Sequence, residues 1–472
     1  MNRQIAILHG WSDNSKSFRP LRSFLADRGF EMKAIWLGDY VSKDDDVRIE
    51  DAARRMQEVV SEKIASGELK APFDLIVHST GGLVAREWLV ANYPDGKGAP
   101  IKRLIMLAPA NFGSRLASLG KSMIGRIAKG WNNWLETGKG MLDALELGSA
   151  YQRRLALRDL FDQTGGGAEG PYGARKVWPF VITGTRGYPS MMRQIVNEQG
   201  ADGTVRAAAA NLNAIGMTLD FSENGEIPAL RAWTPRAGDF PFPFAALADR
   251  DHTSVTLPEK ASGAAAEDDR LGELLLEALG CDSAEAYRRI EAKWRALSEA
   301  TAGLARDPEA NRAFFGGRPP AGESFRQHMQ IVAHVRDDHG ASVDDYFIEF
   351  FSPDQGGVQD IVLFQREVLR HVHVNKLDAS MRCLYIDREA LRSVFYQRYR
   401  RLAVSLSADA PGRNVAYFDA EREGARGDLV IHARDEEALA ELGPERLLRN
   451  KTHFVDIVIP RRPKRGVFKL NR

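Results

Sequence analysis

The sequence predicts an α/β protein, a parallel sheet covered by helices on both faces, with a β-rich region after it. Three observations predict this. Short apolar runs alternate with amphipathic segments through the first half. A serine, Ser79, stands where one such run meets a glycine-backed helix start. Beyond about residue 322 the apolar period shortens from helical to two. At 472 residues the chain is too long for one ordinary core. The expected division is an α/β domain over 1–262, a helical connection over 263–322 and a β-rich domain over 323–472.

The elements follow in order. "QIAILHG" is a strand, with Ile5 to Leu8 as its apolar run. "SFRPLRSFLADRGF" repeats Phe18, Leu21, Phe24 and Leu25 at helical spacing. "EMKAIWLG" is a strand and "RIEDAARRMQEVVSEKIASGEL" a helix. "FDLIVHS" and "GGLVAREWLVANY" repeat the pair, and "IKRLIMLAPA" and "VWPFVITGT" are further strands. "IPALRAWTP" is expected as one more strand of this region, and two helices follow within 265–304. After the turn-rich "GGRPPAGES" come short strand-like runs, among them "FRQHMQIVAHV", "VDDYFIEFF", "DIVLFQ", "RHVHVNKL", "MRCLYID", "RLAVSLSA", "NVAYFDA", "DLVIHA" and "KTHFVDIVIP". They suggest a sandwich or a barrel.

Composition excludes several classes. The formal net charge of +1 leaves no global footprint for nucleic acid. Two cysteines, Cys281 and Cys383, exclude a disulfide framework and a Cys-rich zinc site, and fit a reducing compartment. No apolar run reaches the length of a membrane span. The N-terminal apolar run is too short for a secretory signal. The expectation is therefore a cytoplasmic protein, needing a leaderless route if it is exported. His371 and His373 alternate on one strand and read as a solvent face, so no metal and no cofactor are expected.

The chemistry concentrates at Val77-His78-Ser79-Thr80-Gly81-Gly82. In a parallel sheet, a serine at a strand-to-helix elbow is lifted above the carboxyl edge, and the helix N-terminus points its free N–H groups at the same place. This stretch resembles the nucleophile elbow of the α/β-hydrolases, within them the lipase and esterase branch. The usual pattern there is Gly-x-Ser-x-Gly. Here valine stands at the first glycine, which demands more room beside the helix.

The resemblance implies the rest of a site. Two backbone donors are needed for a tetrahedral oxyanion. Thr80, next after the serine, supplies one, and Trp11 of "LHGW", after an early strand, is the candidate for the other. The order Ser, Asp or Glu, His then makes His252 the base, because of the ten histidines only His252 follows Ser79 within the α/β region. Asp202, in the Gly-Ala-Asp-Gly-Thr-Val loop after "VWPFVITGT", is the candidate acid. Glu198, Asp220, Asp239 and Asp251 remain alternatives, and a turn or capping role is the plainer account of Asp202.

Between about 112 and 165 lies a long insertion. Leu116, Leu119, Met123 and Ile127 recur at helical spacing beside Lys121, Arg126 and Lys129, followed by Trp131 and Trp134. A cap over the serine is expected, either touching a membrane surface peripherally or packed permanently on the core. The reading as a whole is a serine hydrolase of carboxylic esters, a lipase or phospholipase acting through an acyl-enzyme. The alternatives are a short-chain esterase or thioesterase with a rigid cap, and a non-catalytic binding module on a hydrolase frame. No partner of the β-rich domain can be read from the sequence.

Overall fold

The computed structural model describes residues 4–8, 18–35, 47–119, 139–188, 196–223, 228–257, 270–304, 326–354, 358–410, 412–418, 427–432, 450–464 and 467. The chain divides into two compact units, Met1–Asn213 with Thr234–Arg326, and Ala214–Trp233 with Gln327–Arg472.

The first unit is built on six strands: β1 (Gln4–Leu8), β2 (Glu31–Ile35), β3 (Phe73–His78), β4 (Ile101–Leu107), β6 (Trp178–Gly184) and β10 (Phe244–Leu247), in the order β10-β6-β4-β3-β1-β2. The short β5 (Phe161–Asp162) and β9 (Thr234–Pro235) pair apart from it. Every neighbouring pair in the six-stranded sheet is parallel. Crossover helices α1 (Arg19–Ala26), α2 (Ile49–Ala65) and α3 (Gly81–Asn92) alternate with the early strands. Strands β1, β3 and β6 are buried along their whole length, which is why they read as continuous apolar runs.

β10 escaped the sequence reading. Its four-residue run "FAAL" follows two prolines and carries too little signal. Its open side is satisfied by the helix Ala284–Gly303. Ala246 N–H donates to Ser298 Oγ at 3.0 Å, Ser298 Oγ donates to Phe244 O at 3.0 Å, and Thr301 Oγ1 donates to Ala246 O at 2.7 Å. An unpaired edge is thereby covered.

The second unit holds β7 (Ile215–Asp220), β8 (Ala229–Ala232), β11 (His328–Asp337), β12 (Tyr346–Phe351), β13 (Leu369–Val374), β14 (Met381–Asp387), β15 (Arg401–Ala408), β16 (Val415–Tyr417), β17 (Gly427–His432), β18 (Thr452–Ile459) and β19 (Arg461–Pro463). Six of these form a mixed sheet, β13-β14-β11-β18-β7-β8, with β18 parallel to both β11 and β7. The antiparallel sheet β12-β15-β17 shares two apolar clusters with it. One gathers Met329, Leu384 and Ile386 with Phe350 and Leu402, and the other gathers Leu219, Val335 and Ile457 with Tyr346 and Leu406.

The structure departs from the sequence reading in three places. Residues 214–233, expected inside the first domain, belong to the second unit, because β7 finds its parallel partner in β18. Gly216 permits this closely packed arrangement, since a Cβ there would lie 2.0 Å from the Trp233 ring. The helices Arg270–Gly280 and Ala284–Gly303, read either as the end of the first domain or as a connection and assigned to the connection, belong to the first unit. "DIVLFQ" is helical rather than extended, with an α-helix over Gln359–Leu363 running into a π-helical turn over Phe364–Val368. Leu363, Phe364 and Val368 are buried there, and Asp360 accepts the Ser352 N–H, which fixes the first turn. The tertiary contacts override the β propensity of Ile361 and Val362.

Candidate active site

β3 delivers Ser79 with φ of 54°, a left-handed conformation that costs an L-residue energy unless its surroundings impose it. Here they do. Ser79 N–H donates to Leu107 O at 3.0 Å, while Ser79 O accepts Gly82 N–H at 3.0 Å and Ala110 N–H at 3.3 Å. Gly82 is required by a close approach, because a Cβ on it would lie 2.8 Å from Pro109 Cβ. Val77, at the position usually taken by glycine, is fully buried between Leu8 of β1 and Met106 of β4. Thr80 caps α3, so its N–H belongs to the first turn, where no acceptor exists within the helix.

The three residues expected at the site come together. His252 Nε2 lies 3.0 Å from Ser79 Oγ, and His252 Nδ1 lies 2.9 Å from Asp202 Oδ2. Asp202 is fully buried, and its other oxygen accepts Thr204 N–H at 2.9 Å and Val205 N–H at 2.7 Å. His252 N–H also donates to Asp202 O at 2.9 Å, so the two residues are joined through backbone as well as side chain. Ser79 is 9% exposed and His252 8%, enough to meet a substrate yet largely removed from water.

The rival acids are engaged elsewhere. Glu198 pairs with Arg206, which is 1% exposed. Asp251 accepts Thr253 N–H and Ser254 N–H and so caps the short turn after His252. Asp220 lies on β7 of the second unit and Asp239 is exposed. Trp11, the second expected oxyanion donor, lies outside the described residues, as do Lys121, Met123, Arg126, Ile127, Lys129, Trp131 and Trp134 of the insertion. Of that insertion, Leu116 packs with Tyr188 and Val196, and Leu119 lies against them. Ser114 Oγ donates to Thr204 O at 2.7 Å, and Tyr188 Oη shares a 2.7 Å hydrogen bond with Thr204 Oγ1. The start of the insertion is thus fastened to the loop that carries Asp202.

A buried network behind the elbow was not foreseen. Arg86 on α3 makes two bonds to Asp159, at 2.8 and 3.1 Å, with both side chains fully buried. It also donates to Asn111 O at 2.9 Å, and Asn111 Nδ2 donates to Ala210 O at 2.8 Å. Burial alone would push the Arg86 guanidinium down; the Asp159 carboxylate reverses this and holds it above its ordinary value. The network ties α3, the segment after β4 and the segment after the acid loop into one frame. Its sequence signal was a charged residue in the middle of an apolar helix. Among the described residues, no group of three or more His, Cys, Asp or Glu is placed to hold a metal, and no helix is long and apolar enough to cross a membrane.

A six-stranded parallel sheet with crossover helices, a left-handed serine at the carboxyl end of β3, an aspartate after β6 and a histidine after β10 are the arrangement of the α/β-hydrolase fold. No family model matches the chain, and no curated protein matches its sequence. The solved structures are informative. Phospholipase PlaB from Legionella pneumophila, in complex with thio-NAD, is similar with a TM-score of 0.77 and 23% identity, over 99% of this chain and 96% of that chain. A second structure of phospholipase PlaB gives a TM-score of 0.74 at 22% identity over the same shares. The likeness therefore extends through the β-rich part and is one of fold.

Proposed function

We propose that the chain is a serine hydrolase of carboxylic esters, with lipid esters, phospholipids foremost, as its substrate class. The observation that carries this reading is the hydrogen-bonded line Ser79 Oγ, His252 Nε2 and Nδ1, Asp202 Oδ2, with spacings of 3.0 and 2.9 Å. A serine hydroxyl is a weak nucleophile until an imidazole takes its proton, and a buried carboxylate fixes the tautomer that can do so. Ser79 Oγ attacks the ester carbonyl as its proton passes to His252 Nε2. The N–H groups of Thr80 and Trp11 stabilise the tetrahedral oxyanion. The intermediate collapses, the C–O bond to the alcohol breaks, and the alcohol leaves with the proton from His252. Water, deprotonated by His252, then attacks the acyl-enzyme. A second collapse frees the acid and returns the proton to Ser79.

Two observations support lipid esters within that class. The similar structures are those of a phospholipase, matched over nearly the full length of both chains. Leu116, Tyr188 and Val196 form a buried apolar cluster fastened to the Asp202 loop, so the insertion with its apolar stripe and tryptophans starts beside the site. The insertion that continues from Leu116 would meet the lipid surface peripherally, its tryptophans at the interface and its basic residues toward anionic headgroups.

The test combines labelling with turnover. A fluorophosphonate should label the wild type and not Ser79→Ala. p-Nitrophenyl esters of increasing chain length, run beside phospholipid liposomes, should show preference for long chains or aggregated lipid. Preference for the shortest ester would move the protein to the short-chain esterases, and absence of both labelling and turnover would make it a binding module. Replacing Trp131 and Trp134 with alanine should weaken liposome hydrolysis several-fold while sparing the soluble ester. Equal losses on both substrates would mean a packed cap.

A further inference from the structure

We propose that His78 is a positioning residue of this site, holding the backbone of His252 so that the base meets the serine in register. The inference rests on the functional reading above. His78 ends a strand whose preceding residues are apolar apart from Asp74, which is paired with Arg103. His78 is 4% exposed, and burying an imidazole in such a place is costly unless it is hydrogen-bonded. Nε2 of His78 lies 3.0 Å from the carbonyl oxygen of His252. A carbonyl only accepts, so this nitrogen carries the proton and donates it. The His78 ring also packs on the His252 ring, with centroids 4.8 Å apart and planes tilted by 44°. Phe18 also meets the His78 ring, edge-on at 5.7 Å.

The base is therefore held at several points, each with a different origin. Asp202 takes the His252 N–H and Nδ1, Ser79 Oγ meets Nε2, and His78 takes the carbonyl. The His78 contact differs from the others, because His78 is the residue directly before the nucleophile. Its side chain references the base to the same strand end that fixes the φ of 54° at Ser79. The Ser79 to His252 distance is thus set from the nucleophile's own strand end as well as from the Asp202 loop. A displacement of about 1 Å between reacting groups costs on the order of a hundredfold in rate, so a clamp of this kind acts on turnover.

Shape alone would be met by phenylalanine. The hydrogen bond would be met by glutamine, whose amide reaches about as far as Nε2. The experiment compares His78→Phe with His78→Gln in the full-length protein, reading kcat and KM on p-nitrophenyl butyrate, the rate of fluorophosphonate labelling and Tm. The expected result is a fall in kcat and labelling rate of about 10- to 100-fold for His78→Phe, with KM within about twofold. His78→Gln should recover most of that loss. Wild-type kcat in His78→Phe would overturn the proposal, because filling the space would then suffice. So would equal losses in both variants at unchanged Tm, because the donor would then not matter. If His78→Phe fails to fold, His78→Gln and His78→Met decide the question, since methionine fills the pocket without a donor. Turnover that persists in Ser79→Ala would overturn the functional reading itself, independently of how the His78 variants behave.

Discussion

The two units use the same kinds of residue in opposite ways. In the first, charged groups go inside and are matched: Arg86 with Asp159, Arg103 with Asp74, and Asp202 with His252. In the second, apolar groups come out. Leu230, Phe347, Val358, Val362, Val372, Val374, Leu377 and Val467 are the exposed large hydrophobics among the described residues, and all belong to that unit. Buried pairing over-determines geometry, which a reacting centre needs. Half-exposed strands such as β13, whose burial alternates residue by residue, fix less. The second unit also matches buried aspartates, Asp387 with Arg370 at 2.7 Å and Asp337 with Arg461 at 3.0 Å, but those arginines are 30% and 32% exposed, and its His and Asp neighbours are looser. His328 Nε2 is 4.0 Å from Asp387 and His334 Nδ1 is 3.5 Å from Asp456, against 2.9 Å for His252 and Asp202.

The sharpest way to break this comparison is to neutralise one aspartate in each unit. Asp202→Asn should lower turnover of a soluble ester by about a thousandfold to ten-thousandfold, because the wrong tautomer of His252 is then favoured. Asp387→Asn should leave that turnover within about twofold, provided the protein stays folded. Asp387 works differently: burial alone would push its carboxyl up, but His328, the Ala390 N–H and Arg370 outweigh this and hold it below the ordinary carboxylate range. Loss of turnover in the Asp387 variant at full Tm would mean that the second unit takes part in the chemistry.

Truncation after Pro320 tests the chain division. All the expected site residues precede that point, so the sequence alone suggests that an active fragment would survive. The structure predicts otherwise. β7 would lose β18, leaving Met217 and Leu219, which are 7% and 8% exposed in the intact chain, uncovered in mid-fragment. The fragment should aggregate, and a soluble, active fragment would show that residues 214–233 can be accommodated without the second unit.

Asp159→Asn should destabilise by about 3–5 kcal/mol, since it strands the Arg86 guanidinium in a fully buried place. Denaturant unfolding measures this. A loss below about 1 kcal/mol would mean that water reaches Arg86.

How far the sequence could be read follows the same contrast. β1, β3, β4 and β6 were legible because a strand buried on both faces must be apolar throughout. The grouping of Ser79, Asp202 and His252 was legible because the resemblance supplies their chain order. β10 was too short to signal itself, and the hydrogen bonds on its open side come from Ser298 and Thr301, some fifty residues on. The Arg86 and Asp159 pair spans 73 positions, and no local pattern encodes it. β7 was lost because its partner β18 lies more than two hundred residues away. His78 was visible within the motif, but its target, the His252 carbonyl, exists only in the folded chain.

Acid exposes a smaller difference. Asp162 accepts Thr164 Oγ1–H and N–H together with the Ala168 N–H, and these bonds hold its carboxyl well below the ordinary 3.8, at about 2. A carboxylate lowered on folding contributes stability that is fully present above its unfolded value and is lost as pH falls through its folded one. The Tm difference between wild type and Asp162→Asn should therefore be constant from pH 7 to 5 and shrink between about pH 4 and 2. A difference independent of pH would mean that the loop is held by something other than that charge.

The smallest effect concerns the segment that the sequence reading made a strand. In a strand, Val362 and Phe364 would share a face, and removing either side chain would cost alike. In the helix that the structure shows, Val362 is 53% exposed while Leu363 is 7% and Phe364 1% exposed. Val358, four positions earlier, is also outside, at 69%. Val362→Ala should therefore be neutral or stabilise by up to about 0.5 kcal/mol, since alanine is the better helix former and little burial is lost. Phe364→Ala should cost about 3–5 kcal/mol, because its ring stacks on Phe350 at 4.4 Å and meets Phe395 at 5.5 Å. The pair of values, from denaturant unfolding, separates the two conformations. Comparable costs at both positions would return the segment to a strand, and would remove Val362 from the apolar surface that distinguishes the second unit from the first.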